Sequence, residues 1–190
     1  MCKGCDYSMR EIIIQAALAE IKIHALRFKM DDVAIHLQMS KKTLYTVFSS
    51  KVELVNAVIE YIIGRYNQQE KKILRQDASG EHKTCMLLHL YSDSFWHFDR
   101  SLYMDLRHDY AEQWQRWIDF RKQKIDILSK LLEDDIRSGH LRHININLMM
   151  HCIWLVVDGL YQADILKDEN LDYGEALEQY IDMIFNGIKN

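Results

Sequence analysis

Not one proline occurs in the 190 residues of this chain. Average usage would supply about nine or ten. Proline and glycine make tight turns and end helices. A chain without the first, and with only 7 of the second, is poorly equipped for the frequent turns of a β-sandwich or barrel. The same scarcity excludes collagen-like and Pro/Gly-rich disordered material. Hydrophobic residues make up 48% of the sequence, enough for a sizeable core. The expectation is an all-α globular protein of one or two small domains.

The apolar pattern has helical spacing. Ile13, Ala17 and Ile21 recur at four-residue steps on one face of a first helix. Residues 22–29 are mixed and basic and are expected to form a connection. A short helix follows from Met30 to Leu37, with Asp31 and Asp32 in the first turn, where negative charge suits the helix dipole. Ser40 is an N-cap for a second short helix to Phe48, whose Leu44, Val47 and Phe48 share one side. Ser50-Lys51-Val52-Glu53 has the form of a capping box and opens a longer helix that fades near Arg75. Asp77-Ala78-Ser79-Gly80 is the clearest break. Further helices are expected over about 81–98, through an aromatic-rich stretch to Gly139 as a C′ residue, over about 147–166, and from Asp172-Tyr173-Gly174-Glu175 to about Lys189.

Charge divides the chain. Lys and Arg number 24 against 28 Asp and Glu, a net charge of -4, so this is no globally basic nucleic-acid coat. Residues 1–55 nevertheless carry a net of +2 and the remainder -6, which suggests two functional parts, one tolerant of a polyanion. Cys2, Cys5, Cys85 and Cys152 are irregularly spaced, and the polar stretch 1–10 lacks an apolar core segment. A reducing cytoplasm is expected rather than a disulfide framework. No stretch approaches the ~18 apolar residues of a membrane span, so no membrane partner is expected.

Two short helices separated by a tight connection, after a longer first helix, suggest a helix-turn-helix, whose second helix enters the DNA major groove. The 41–48 helix fits that role. One side is apolar, and the others carry lysines, hydroxyls and a tyrosine that can reach phosphates and base edges. Taken singly, Lys41, Lys42 and Lys51 fit ordinary solvated charges equally well. The string Ser40-Lys41-Lys42-Thr43-Leu44-Tyr45, followed by Phe48, Lys51 and Leu54 and preceded by Met30-Asp31-Asp32-Val33-Ala34, resembles the signature of the TetR family, the tetracycline-repressor-like bacterial regulators. The resemblance covers about residues 10–58.

That resemblance implies an N-terminal three-helix helix-turn-helix DNA-binding head, residues 1–52, and a C-terminal helical effector-binding and dimerisation domain, residues 53–190. It implies a cytoplasmic, DNA-associated homodimer that acts as a repressor, as is usual for the family, holding a palindromic double-stranded operator and being released by a small-molecule effector. Carried over residue by residue, Ser40, Lys41, Lys42 and Thr43 begin the recognition helix, with Thr43 the best base-edge reader. Tyr45 and Lys51 are expected phosphate contacts, and Lys29 stands where the family favours Ser or Thr as cap and phosphate contact: a lysine can still reach a phosphate, but the cap is lost. Two features depart from the pattern. Gln38 stands where the turn usually has glycine, at a cost of about 1 kcal/mol in a positive-φ conformation, and residues 22–28 lack the usual glycine.

In the body, Met86, His89, Phe95, Trp96, Tyr103, Tyr110, Trp114 and Trp117 are candidate pocket residues, with hydroxyl and indole handles beside apolar rings. Plain core is the competing reading for each. Trp154, Val157, Leu160 and Tyr161, with Tyr180, Ile181, Ile184 and Phe185, are candidate dimer-interface residues, with intramolecular core as the alternative. Cys2-x-x-Cys5, His140-x-x-His143 and the His82, His89, His97 series are too sparse to specify a metal site, and no cofactor is expected. No Gly-rich phosphate loop, nucleophile elbow or zinc helix occurs, so an enzyme is not expected. The competing function is a helical small-molecule or haem-binding protein with a vestigial DNA-binding head.

Overall fold

The computed structural model describes residues 8–95, 100–160, 166, 170–171 and 173–188. No β-strand occurs among them. The helices are α1 (Met9–His24), α2 (Met30–His36), α3 (Lys41–Val47), α4 (Lys51–Leu74), α5 (Gly80–Phe95), α6 (Arg100–Asp109), α7 (Ala111–Arg137), α8 (Ile146–Leu160) and α9 (Tyr173–Ile188).

The stretch expected as a connection after the first helix differs. α1 runs on through His24 and ends in a 3-10 turn, Ala25–Arg27. Lys22 and His24 lie in the last turn of α1, where positive charge favours continuation. Ala25 stands just past the helix with φ 49° and ψ -139°, a conformation that suits glycine. This is where the sequence lacks its expected glycine.

The chain packs as two compact units. The first is Met1–Arg65 with Ser101–Gln115, and the second is Tyr66–Arg100 with Arg116–Asn190. The borders at 65/66 and 115/116 fall inside α4 and α7. In the first unit α1, α2 and α3 pack on one another around Ile13, Ala17, Val33, Leu44 and Phe48, all fully buried or nearly so. Leu54, Val58, Leu102 and Leu106 are buried in the same unit.

The second unit buries Leu87 and Leu88 of α5, Leu128 and Leu132 of α7, Met150 and Ile153 of α8, and Leu177 of α9. α5 begins at the break read in the sequence. Its first two amides donate to the Asp135 carboxylate of α7, Gly80 at 3.1 Å and Glu81 at 2.6 Å. A Cβ at position 80 would stand 2.3 Å from the Leu131 carbonyl oxygen, so the approach of α5 to α7 requires glycine there. α7 closes as expected, with Gly139 at φ 81°.

Candidate nucleic-acid interface and effector site

The helix-turn-helix is built by its caps. In the turn between α2 and α3, Met39 donates its amide to the Ala34 carbonyl at 2.9 Å, and Gln38 adopts φ 51°, the left-handed conformation its position demands. Ser40 then caps α3: its Oγ accepts from the Thr43 amide at 3.1 Å and lies 2.8 Å from Thr43 Oγ1. Leu44 and Phe48 are completely buried and seat the helix on the head. Lys41, Lys42, Thr43, Tyr45 and Thr46 remain exposed. Lys41 is ion-paired with Asp31 of α2 on the exposed surface, where such a pair contributes little to stability.

Lys29 is exposed at the N-cap of α2. As expected, its side chain supplies no cap. The reciprocal contact is made instead, with Asp32 Oδ2 accepting from the Lys29 amide at 2.7 Å. The box opening α4 is also shifted by one residue. Ser50 Oγ accepts from the Glu53 amide at 3.1 Å, but the Glu53 carboxylate accepts from the amide and hydroxyl of Ser49, each at 2.8 Å. Those two hydrogen bonds hold its carboxyl below the usual carboxylate range.

Lys51, expected at a phosphate, is turned inward. Its ammonium donates to the Leu26 carbonyl and sits 4.6 Å from the Phe28 ring centroid. Burial pushes its pKa down, and the nearby carboxylates of Asp105, Asp109 and Asp32 oppose that shift. Asp105 of α6 accepts from the Leu26 amide at 3.2 Å, so both polar groups of Leu26 are held from other helices.

A residue the sequence reading missed is Arg10. Its guanidinium lies 4.2 Å from the Phe48 ring centroid, donates to the Val47 carbonyl at 3.4 Å, and pairs with Glu53 at 3.5 Å. It thereby holds the C-terminal end of α3 from α1. Only the chain fold brings position 10 to position 47, so no local pattern could have disclosed it.

The candidate pocket residues divide. Phe95 and Trp117 are buried and meet edge-on in the second unit, with centroids 4.6 Å apart. Met86 and His89 are half-buried on α5, off its buried face. Tyr103, Tyr110 and Trp114 fall in the first unit, and Trp96 lies outside the described residues. Around Phe95 and Trp117 the second unit gathers Tyr66, Tyr91, Phe120 and Trp154, with centroid separations between 4.6 and 6.3 Å. Beside these rings is a buried ion pair, Lys124 Nζ to Glu70 Oε2 at 2.6 Å. Burial, with Glu70 nearby, raises the Tyr66 phenol well above its ordinary pKa, so it stays neutral.

Of the candidate interface residues, Trp154, Val157, Ile181 and Phe185 are buried within the second unit, and Leu160, Tyr180 and Ile184 are half-buried. Tyr161 lies outside the described residues. The exposed apolar stripe is the adjacent one. Leu148 and Leu155 stand seven residues apart on α8, His151 and Cys152 lie exposed between them, and Met183 is exposed on α9. Hydrophobicity all round α8 hid which side faces out. Among the described residues no group of three or more His, Cys, Asp or Glu is placed to hold a metal, and no helix is long and apolar enough to cross a membrane. Cys2, Cys5 and His97 lie outside the described residues.

Residues 13–58 match the family model described as bacterial regulatory proteins, tetR family. The chain is 28% identical over 181 residues, 95% of both chains, to an uncharacterized HTH-type transcriptional regulator, YvaF, of Bacillus subtilis (strain 168). Among solved structures it resembles a transcriptional regulator from Saccharomonospora viridis in complex with choline, at TM-score 0.82 and 15% identity over 95% of this chain and 97% of that one. It also resembles the regulator FadR from Bacillus subtilis in complex with stearoyl-CoA, at TM-score 0.73 and 17% identity over 93% and 98%. The capped helix-turn-helix thus lies within the stretch that matches the tetR family model, and over 95% of its length the chain is similar to an HTH-type transcriptional regulator.

Proposed function

We propose that this chain is a homodimeric repressor that holds a palindromic operator through α3 and leaves it when a small molecule occupies the second unit. The observation that carries this reading is the two-sidedness of α3. Leu44 and Phe48 are wholly buried, while Lys41, Lys42, Thr43 and Tyr45 face solvent. Residues 1–52 form the reading head, and residues 53–190 bind the effector and the second copy.

Lys29, Lys42 and Tyr45 are exposed and reach phosphates, Ser40 and Lys41 flank the groove-facing end of α3, and Thr43 reads a base edge. Lys51 supports the Leu26 turn rather than the backbone of the duplex. The dimer forms through α8 and α9, with Leu148, Leu155 and Met183 joining Tyr180 and Ile184 on the shared face. A two-fold contact buries the same patch twice and gives the heads two half-sites. The effector acts by binding more tightly to a conformation whose heads do not fit the operator. The choline and stearoyl-CoA complexes of the similar structures support a ligand in the helical body.

The test is selection of bound oligonucleotides from a random duplex pool, followed by a gel shift on the winner. A palindromic winner, bound with steep salt dependence, is the expected result. A pool that never enriches would end the proposal.

A further inference from the structure

The ring cluster of the second unit contains a charge pair that is already balanced. Lys124 and Glu70 side chains are 4% and 7% exposed. The Lys124 ammonium donates to Glu70 Oε2 at 2.6 Å and to Asn67 Oδ1 at 2.8 Å, and lies 4.8 Å from the Phe120 ring centroid and 5.1 Å from that of Tyr66. Two acceptors and two ring faces satisfy this cation, leaving little for an anionic guest to gain. Its partner is not satisfied. Glu70 Oε1 is buried and has no hydrogen-bond partner among the described residues. Trp154 Nε1 is in the same condition, in a ring that meets Tyr91 edge-on at 4.6 Å.

Native interiors leave few such groups unmet, so an orphan acceptor and an orphan donor bordering one set of rings point to a guest that meets them. Beside Glu70 a further full charge would find no free counterion, because that carboxylate already has its ammonium; the Arg121 guanidinium lies at the other border of the cluster, 4.9 Å from the Trp154 ring centroid. A quaternary ammonium has no N–H for Glu70, and a carboxylate has no proton to donate. Phe95 meets Trp117 edge-on at 77°, while Tyr66 lies tilted against Phe95 at 30° and Phe120 against Trp117 at 32°, so a guest here is bordered by both ring edges and ring faces.

From these observations we infer that the effector is a neutral, flat, ring-bearing molecule whose hydroxyl or N–H donates to Glu70 Oε1. This rests on the reading that the second unit is the effector site. It separates this chain from the similar proteins solved with choline and with stearoyl-CoA.

The experiment uses the full chain and a matched set of probes: naphthol, its methyl ether, naphthoate, choline and stearoyl-CoA. Binding is read by quenching of tryptophan fluorescence and by thermal shift, since a ligand of the native state raises the melting temperature. Naphthol should bind at least about tenfold more tightly than its methyl ether, which keeps the rings and loses the donor, and than naphthoate. Glu70→Gln should erase the preference for naphthol over the ether. The comparison of naphthol with its ether on the unaltered chain stands even if that variant does not fold. Tighter binding of naphthoate, choline or stearoyl-CoA, equal binding of naphthol and its ether, or no binding of naphthol would overturn the inference. Operator release is followed in parallel. Release by choline or stearoyl-CoA alone refutes the neutral donor and keeps the regulator. Tight naphthol binding by a chain that holds no DNA keeps the neutral donor and refutes the regulator.

Discussion

Removing the Asp135 carboxylate should cost this protein more than removing almost any other single polar group on the described surface or core of its second unit. Asp135 is 8% exposed, lies on α7, and accepts both opening amides of α5 from more than fifty residues away, Gly80 at 3.1 Å and Glu81 at 2.6 Å. A hydrogen bond to a charged acceptor contributes about 1.5–3 kcal/mol, so Asp135→Ala should cost about 3–5 kcal/mol. In a chain of this size each kcal/mol moves the melting temperature by about 2–4 °C, giving a fall of roughly 6–20 °C. Asp135→Asn keeps one carbonyl oxygen and should lose about half as much, because one amide stays satisfied and the other meets an NH2 group. Position 80 provides an independent check. A methyl there meets the Leu131 carbonyl oxygen at 2.3 Å and Asp135 Oδ2 at 2.9 Å, so Gly80→Ala should also destabilise by separating α5 from α7. Differential scanning calorimetry on the three variants decides it. An Asp135→Ala melting point within about 3 °C of the parent, or an Asn variant as damaged as the Ala variant, would refute the reasoning.

Three further outcomes follow from the head and the interface. Gln38→Gly should relieve the strain of φ 51° at a surface turn and stabilise the protein by up to about 1 kcal/mol, read by urea denaturation. Lys42→Ala should weaken binding to all sequences alike and reduce the salt slope by about one unit, whereas Thr43→Ala should change preference at one base position by about 1–3 kcal/mol; fluorescence anisotropy on operator variants separates them. Leu155→Lys places a charge on an exposed apolar stripe of α8 and should convert dimer to monomer in sedimentation equilibrium without unfolding the chain, because that side chain is 60% exposed in the single chain.

The parts of this molecule written in neighbouring residues were legible in advance. Ser40 capping Thr43, the break before Gly80, Gly139 at positive φ, and the positive φ forced on Gln38 each depend on a few adjacent positions. The exposed flank of α3 was legible for the same reason, since helical spacing assigns Leu44 and Phe48 to one side. What escaped depends on contacts between distant segments. Lys51 and Lys42 look alike in sequence, yet one ammonium is spent on the Leu26 carbonyl and the other is exposed. Nothing in the residues around Lys124 marks it as buried, and only the approach of α4 and α7 sets it against Glu70. Trp154 and Val157 fit an interface or a core equally in sequence because α8 is apolar on nearly every side, so periodicity cannot say which side meets its own core; both are buried within the chain.

The central claim is that the polar flank of α3 lies in a major groove of DNA. Methylation interference on the selected operator addresses it directly, because methylation at guanine N7 obstructs the major groove alone. The account predicts interference in two clusters, one per half-site, with centres one or more helical turns apart, about 34–36 Å per turn. Binding that is indifferent to N7 methylation throughout the site would contradict it.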